Sequence, residues 1–328
     1  MTTKEFQRTE FGERLIRHAM RDRARRETGS PESRTSPMFA DWRDGLHPWF
    51  RDAAADLVRD EDVRLHPHAA AVNSSMAFAF NLFMPFRVAG STVLEELLGV
   101  ALKQSLTVSA VGFEFGGPTH VLGECAGTEP TADEKFTASD VAVHVTDQAG
   151  RRGVVLIEVK LSEGGYTHCG GATSRGNRRL DVCASAATFF AEPGACYLRR
   201  PYRAQRDRRY WDILAAEFGS VQQAVPRYEG ERCPFELDYQ QMMRNHTLAL
   251  GLVQAGEVEF AAFGLVHHPD NLDVIEPWKR YRNIVADDSQ LFDIPADVIV
   301  DAASAQGGTW PDWADFMRER YLLANNTR

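Results

Sequence analysis

The apolar positions of the chain change their period along its length, and each change marks an element. From Lys4 to about residue 28, apolar residues recur at helical spacing among arginines, which predicts a basic amphipathic helix, and a turn-rich linker follows at 28–37. Helical spacing returns at 47–60 and at 91–104, where Val93, Leu94, Leu97, Leu98, Ala101 and Leu102 share one face. Between these two, 73–85 is an apolar run with polar ends and reads as a short buried helix. From about residue 107 the period becomes extended. Strands are predicted at 108–115, 139–146 and 153–160, the last two a hairpin turning at 147–152. A helix over 239–254, stopped at Ala255-Gly256, and a strand over 258–267 complete the pattern. Helix, three strands, helix, strand is an α/β order in which the last strand can return parallel to its predecessors. The expected architecture is an αβββαβ core with a central mixed sheet flanked by helices. Its expected division is a basic helical region at 1–60, the core at 61–270 and a C-terminal helical extension at 271–328.

Composition narrows the class. Of 328 residues, 44% are apolar and 25% charged, which excludes fibrous, collagen-like and disordered chains. No stretch approaches the ~18 apolar residues of a membrane span, and the N-terminus has no apolar core after a positive start, so a cytoplasmic protein without a membrane partner is expected. In that reducing compartment the five cysteines read as free thiols or metal ligands. The net charge of −9 opposes a surface that follows phosphates, but the arginines are clustered. One cluster spans 8–26. The other holds Arg199, Arg200, Arg203, Arg206 and Arg209, interleaved with Tyr202, Tyr210 and Trp211, a composition suited to clamping phosphates and stacking on bases. A solvated surface is the alternative. Of 37 basic residues only five are lysine, so a lysine in a buried strand is not the default cation of this chain.

The chemistry concentrates in the hairpin. Val154 to Ile157 reads as buried on both faces, yet the strand continues Glu158-Val159-Lys160, which puts a carboxylate and an ammonium on one face. Buried charge is costly unless paired. If Thr146 faces Gly153 across the turn, Asp140 falls opposite Val159, beside Glu158. Two neighbouring carboxylates repel unless a cation lies between them, and Mg²⁺ favours such oxygen ligands. A bound divalent ion polarises a phosphodiester and activates water, and the ammonium can orient that water or neutralise developing charge. The alternative is a structural ion pair at a hairpin end.

Ser139-Asp140 followed after seventeen residues by Glu158-Val159-Lys160 resembles the D…ExK signature of the PD-(D/E)XK nuclease superfamily, with Ser139 in the place of the proline. Segments 73–86 and 233–250 are similar to a poorly characterised bacterial branch of it, which widens the likeness to about 70–268. The resemblance implies a restriction-endonuclease-like fold and cleavage of DNA with Mg²⁺ or Mn²⁺. It further implies Asp140, Glu158 and the Val159 carbonyl as metal ligands, with Lys160 positioning water or stabilising charge. Members often add a glutamate from the first core helix, here Glu95 or Glu96, although Glu95 also fits a capping box. On the predicted helix 239–254, Gln240 and Arg244 share a face that can turn toward a phosphate, or they form a solvated stripe.

Cys169, Cys183, Cys196 and Cys233 follow the hairpin with the spacing C-x13-C-x12-C-x36-C. Four thiolates suit zinc or an iron–sulfur cluster, with His168 able to replace one ligand, but the spacing lacks C-x2-C pairs and small buried hydrophobes are the alternative. The glycine-rich stretch 164–176 is expected to be a loop bordering the active site. The expected function is a Mg²⁺-dependent endo- or exodeoxyribonuclease serving restriction, phage defence or repair. RNA cleavage, or a non-catalytic nucleic-acid-binding scaffold, is the rival reading, and a homodimer stays open.

Overall fold

A computed structural model describes residues 9–26, 37–61, 63–125, 136–199, 207–218, 232–236 and 239–324 of the chain. Its centre is a five-stranded mixed sheet in the order β1 (Leu106–Phe115), β2 (Ser139–Asp147), β3 (Arg152–Lys160), β4 (Phe260–His267) and β5 (Leu291–Pro295). The first three strands form an antiparallel meander, and β4 and β5 continue parallel to β3. Helices cover both faces: α1 (Glu10–Arg26), α2 (Arg51–Asp60), α3 (Ser75–Ala89), α4 (Thr92–Leu102), α5 (Tyr239–Gln254), α6 (Leu272–Ile284), α7 (Ala296–Ser304) and α8 (Trp310–Tyr321). Among the described residues no single helix is long and apolar enough to cross a membrane.

Strand alternation sorts the side chains between the two faces. Val155, Ile157 and Val159 of β3, with Val141, Val143 and Val145 of β2, pack against α3, α4, α7 and α8. Val154 and Leu156, with Ala142, pack on the other face against α5 and α6. Every residue of β3 from Gly153 to Lys160 is buried, as expected of a central strand covered on both sides. The parity that sends Val159 to the α3 face sends Glu158 and Lys160 to the α5 face.

Helix α3 is capped by Ser74, whose hydroxyl accepts the Ala77 N–H at 3.2 Å, and it is buried from Met76 to Phe86. Asn81 is the polar exception in that run. It accepts the His47 N–H at 2.8 Å and donates to the Gly45 carbonyl at 2.9 Å and the Tyr321 hydroxyl at 2.7 Å, which ties the N-terminal segment to α8. Each of its polar groups is satisfied, so its burial costs little.

Two expectations need correction. The hairpin pairs Thr146 with Arg152 rather than with Gly153. The Asp147 carboxylate captures the N–H groups of Ala149 and Arg151, both at 2.9 Å, so the turn closes one residue tighter. The C-terminal stretch is also not helical throughout, because 291–295 adds strand β5 to the sheet. Those five residues carry too short a pattern to declare a strand by themselves, and it is pairing with β4 that makes them one. The predicted linker 28–37 lies, apart from Pro37, outside the described residues.

Gly264 in β4 leaves room for a ring. A Cβ there would stand 2.2 Å from the ring of buried Phe292 on β5. Gly264→Ala is expected to lower unfolding free energy by about 1–3 kcal/mol through overpacking, read from the urea midpoint. An unchanged midpoint would show that Phe292 yields freely.

Candidate active site

The sheet register builds the site. Phe113 pairs with Val141 and Phe115 with Ser139, so Glu114 stands opposite Asp140; Val141 pairs with Ile157, so the next position brings Asp140 opposite Glu158. Three carboxylates therefore lie in one row across β1, β2 and β3 on the α5 face, at the ~5 Å spacing of directly opposed residues. Lys160 follows two positions along β3. Glu114 holds its place with φ of 50°, a left-handed backbone that costs a non-glycine residue about 1–3 kcal/mol and collects at functional sites.

Each member of the row is held. The Asp140 carboxylate accepts the Val159 N–H at 2.7 Å, and the Ser139 hydroxyl donates to the Ile157 carbonyl at 3.0 Å, which pins the start of β2 to β3. Lys160 Nζ lies 2.9 Å from Glu158 Oε1, with side chains 8% and 2% exposed. Helix α5 completes the arrangement. Gln241 donates to Glu158 Oε1 at 2.6 Å and accepts from Lys160 Nζ at 3.2 Å, and Asn245 donates to Glu158 Oε2 at 2.6 Å. The Lys160 ammonium also sits 5.3 Å from the centre of the Tyr166 ring.

Behind the row, buried Glu124 accepts the Thr137 N–H at 2.7 Å and the Thr137 hydroxyl at 2.9 Å, and it pairs with Arg244 at 3.0 Å. Arg244 donates to the Thr137 hydroxyl at 2.9 Å, and the Tyr210 hydroxyl closes on Glu124. This network clamps the approach to β2 three residues before Asp140.

The electrostatics follow from crowding. Burial and Glu158 push the Glu114 carboxyl up to about 7. Burial, Glu158 and Glu114 push Asp140 well above the usual carboxylate range. Burial alone would drive Lys160 toward the neutral amine, but Glu158, Glu163 and Asp140 overcome it and hold the ammonium above its ordinary range. Three carboxylates facing one ammonium leave excess negative charge, which a proton or a hard cation relieves. The all-oxygen donors Glu114, Asp140 and Glu158 suit Mg²⁺ or Mn²⁺. Among the described residues no group of three or more His, Cys, Asp or Glu is placed to hold a metal ion as the side chains stand. Both Glu158 oxygens are engaged by Lys160, Gln241 and Asn245.

The row floors a cleft of about 1130 Å³, whose lining includes Gly164, Gly165 and Tyr166 and, from the N-terminal part of the chain, Glu13, Ile16, His66 and His68. The glycine-rich stretch thus borders the cleft where it begins.

Of the residues singled out from sequence, Asp140, Glu158, Val159 and Lys160 come together here. Glu95 does not. It lies on α4, across the sheet, where its carboxylate accepts the Ser91 hydroxyl at 3.1 Å and the Val108 N–H at 2.9 Å at the far end of β1. Glu96, on the same helix, is exposed. The extra carboxylate comes instead from Glu114, which the sequence hides as one charge near a strand end. Gln240 is buried and does not line the cleft; its neighbour Gln241 makes the contacts, and the i, i+4 pair Gln241 and Asn245 was the available signal. Arg244 lines the cleft with its guanidinium committed to Glu124 and Thr137. Arg199 pairs with Asp207 at 2.9 Å and Asp212 at 3.2 Å beside a separate cavity of about 400 Å³. Exposed Arg209 donates to the His120 carbonyl at 3.5 Å, so neither lines the carboxylate cleft. Arg200, Arg203 and Arg206 lie outside the described residues.

A family model described as Restriction Endonuclease associating with ARP matches residues 36–322. The chain belongs to that family. The match spans the sheet and its covering helices from α2 to α8. It marks the chain as a nuclease of restriction-endonuclease type, and the five-stranded mixed sheet flanked by helices is consistent with a restriction-endonuclease-like fold. No curated protein and no solved structure is significantly similar to it.

Because Glu114 titrates near 7 in the fold against an ordinary value of 4.5, the folded chain binds a proton that the unfolded chain has released. With divalent ions chelated, stability should therefore fall as pH rises from about 4.5 to about 7. Glu114→Gln should flatten that interval by on the order of 2 kcal/mol in urea unfolding. An identical slope in the variant would remove Glu114 from the crowded row.

Proposed function

We propose that the chain is a PD-(D/E)XK nuclease that hydrolyses DNA phosphodiester bonds with Mg²⁺ or Mn²⁺. The observation that carries this reading is the row Glu114, Asp140 and Glu158 beside the buried ammonium of Lys160, at the floor of one cleft. Glu114, Asp140 and Glu158 would hold the ion, with the Val159 carbonyl as a further ligand. When bound, the ion supplies Lewis-acid polarisation of the phosphate and a lowered pKa for attacking water.

The protein's own groups supply the rest. Lys160, fixed between Glu158 and Gln241, orients the attacking water and neutralises charge as it develops on the phosphate. Gln241 and Asn245 restrict Glu158 to one rotamer, and the Glu124–Arg244–Thr137 clamp steadies the strand that presents Asp140. DNA as substrate is supported by the restriction-endonuclease character of the family. Restriction, phage defence and repair are the settings that need this chemistry.

Asp140→Asn and Lys160→Gln are each expected to lower Mg²⁺-dependent cleavage about 10²-fold or more, as the loss of one charge stabiliser does. The measurement is digestion of circular and linear DNA, with RNA run alongside and the fold of each variant checked by melting. Circular against linear DNA separates endo- from exonuclease action. Undiminished cleavage by a folded Lys160→Gln protein would refute the assignment, and preferential digestion of RNA would reassign the substrate.

A further inference from the structure

Among the described residues, four basic side chains line the cleft above the carboxylate row, and two of them are spent: Lys160 is held by Glu158 and Arg244 by Glu124. The other two are His66 and His68. Both are exposed, they flank Pro67 on a turn of the N-terminal part of the chain, and their ring centroids lie 5.3 Å apart, close enough to serve one small anionic group together.

The turn that carries them is held on both flanks. Within it, the Ala69 N–H donates to the His66 carbonyl at 2.8 Å and the Ala71 N–H to the His68 carbonyl at 2.9 Å. On one side the Phe39 N–H donates to the Ala70 carbonyl at 2.8 Å and the Val72 N–H to the Pro37 carbonyl at 2.9 Å. On the other side the segment is tied to the residues that follow Lys160. The Asn73 amide donates to the Ser162 hydroxyl at 2.9 Å, and the Ser75 hydroxyl donates to the Glu163 carboxylate. Glu163 also accepts the Leu161 and Ser162 N–H groups, both at 2.9 Å. The strand end that presents Lys160 and the turn that presents the histidines are thereby fixed to each other, and donors fixed in advance lose little entropy on binding.

One hydrogen bond sets the chemistry of His66. The backbone N–H of His68 donates to His66 Nδ1 at 3.2 Å. A ring nitrogen that accepts carries no proton, so the ring proton of His66 is on Nε2. Burial and His68 hold this imidazole below its ordinary range against the opposing pull of Glu163, in keeping with a neutral ring. Among the described residues nothing accepts the Nε2–H, and neither ring nitrogen of His68 has a hydrogen-bond partner. His66 therefore presents an unused donor at the wall of a cleft whose floor is acidic. A strand of phosphates crossing that floor needs donors of this kind beside it.

We propose that His66 and His68 form a phosphate subsite of the cleft, in which the His66 Nε2–H and a ring N–H of His68 donate to the oxygens of a DNA phosphate flanking the one at the carboxylate row. The subsite rests on the nuclease reading and adds to it a contact with the uncleaved part of the strand. An N–H bonded to a charged acceptor is among the stronger hydrogen bonds. A contact remote from the scissile bond is made equally before and during reaction, so it acts on KM and leaves kcat alone.

The test compares the full-length protein with His66→Ala, His66→Gln and His66→Ala/His68→Ala. A glutamine amide reaches about as far as imidazole Nε2 and restores a donor there. Anisotropy of a fluorescein-labelled DNA duplex in EDTA reads affinity without cleavage, and digestion with Mg²⁺ reads KM and kcat. His66→Ala should lose about 10-fold in affinity and raise KM about 10-fold, with kcat within about 2-fold of native. The double variant should lose more, His66→Gln should recover most of the loss, and all three should melt as the native protein does. Nitrogen NMR of the imidazoles should show His66 as the Nε2–H tautomer, with its resonance moved by the duplex. If His66→Ala does not fold, that tautomer and its response to the duplex decide the matter in the native protein. A proton on His66 Nδ1 would overturn the subsite. Native affinity and KM in folded His66→Ala would overturn it too and, where the native protein cleaves, leave the nuclease reading standing. A native protein that does not cleave DNA with Mg²⁺ or Mn²⁺ overturns that reading and the subsite with it.

Discussion

The ion pair between Glu158 and Lys160 lies in the central strand of a sheet covered on both faces, at the floor of the cleft, where little water reaches either charge. Removing two such charges from water costs several kcal/mol each, and attraction between them repays this only if every remaining donor and acceptor is also satisfied. Helix α5 provides that satisfaction. Gln241 and Asn245 project from one face of it onto the two Glu158 oxygens, and Gln241 bridges back to Lys160. The packing of α5 across the sheet is therefore a condition for the pair to exist.

The same burial raises the proton affinity of the neighbouring carboxylates. Asp140 and Glu114 stand beside Glu158 in a medium that cannot screen them, and both respond by holding protons more tightly. A stable fold with no further purpose gains nothing from three acids in one row, since apolar residues of similar size pack at least as well there. The strained backbone at Glu114 and the Glu124 clamp before β2 point the same way, because each keeps a member of the row in place. Fold and family agree on a nuclease of restriction-endonuclease type.

The cations of the cleft are committed within the protein. Arg244 lies in the wall but is occupied by Glu124 and Thr137, and Lys160 is occupied by Glu158. Both cations hold carboxylates in place.

By itself the sequence determined the α/β order, the strands from β1 to β4, the main helices and the meeting of Asp140 with Glu158 and Lys160. All of these are written in local periodicity and in a hairpin only a few residues deep. The structure decided what depends on distant partners. A turn closed by the Asp147 side chain moved the register by one residue and aligned Asp140 with Glu158. Strand β5 exists because β4 offers it an edge, and Glu114 replaces Glu95 because α4 lies across the sheet from the site. Gln241 replaces Gln240 because only the packed rotation of α5 says which of two adjacent glutamines faces β3. The gathering of four cysteines, separated by 12 to 36 intervening residues, against one apolar cluster is of the same kind. Periodicity specifies which face of an element is apolar, but which face meets which neighbour is settled only when the elements pack.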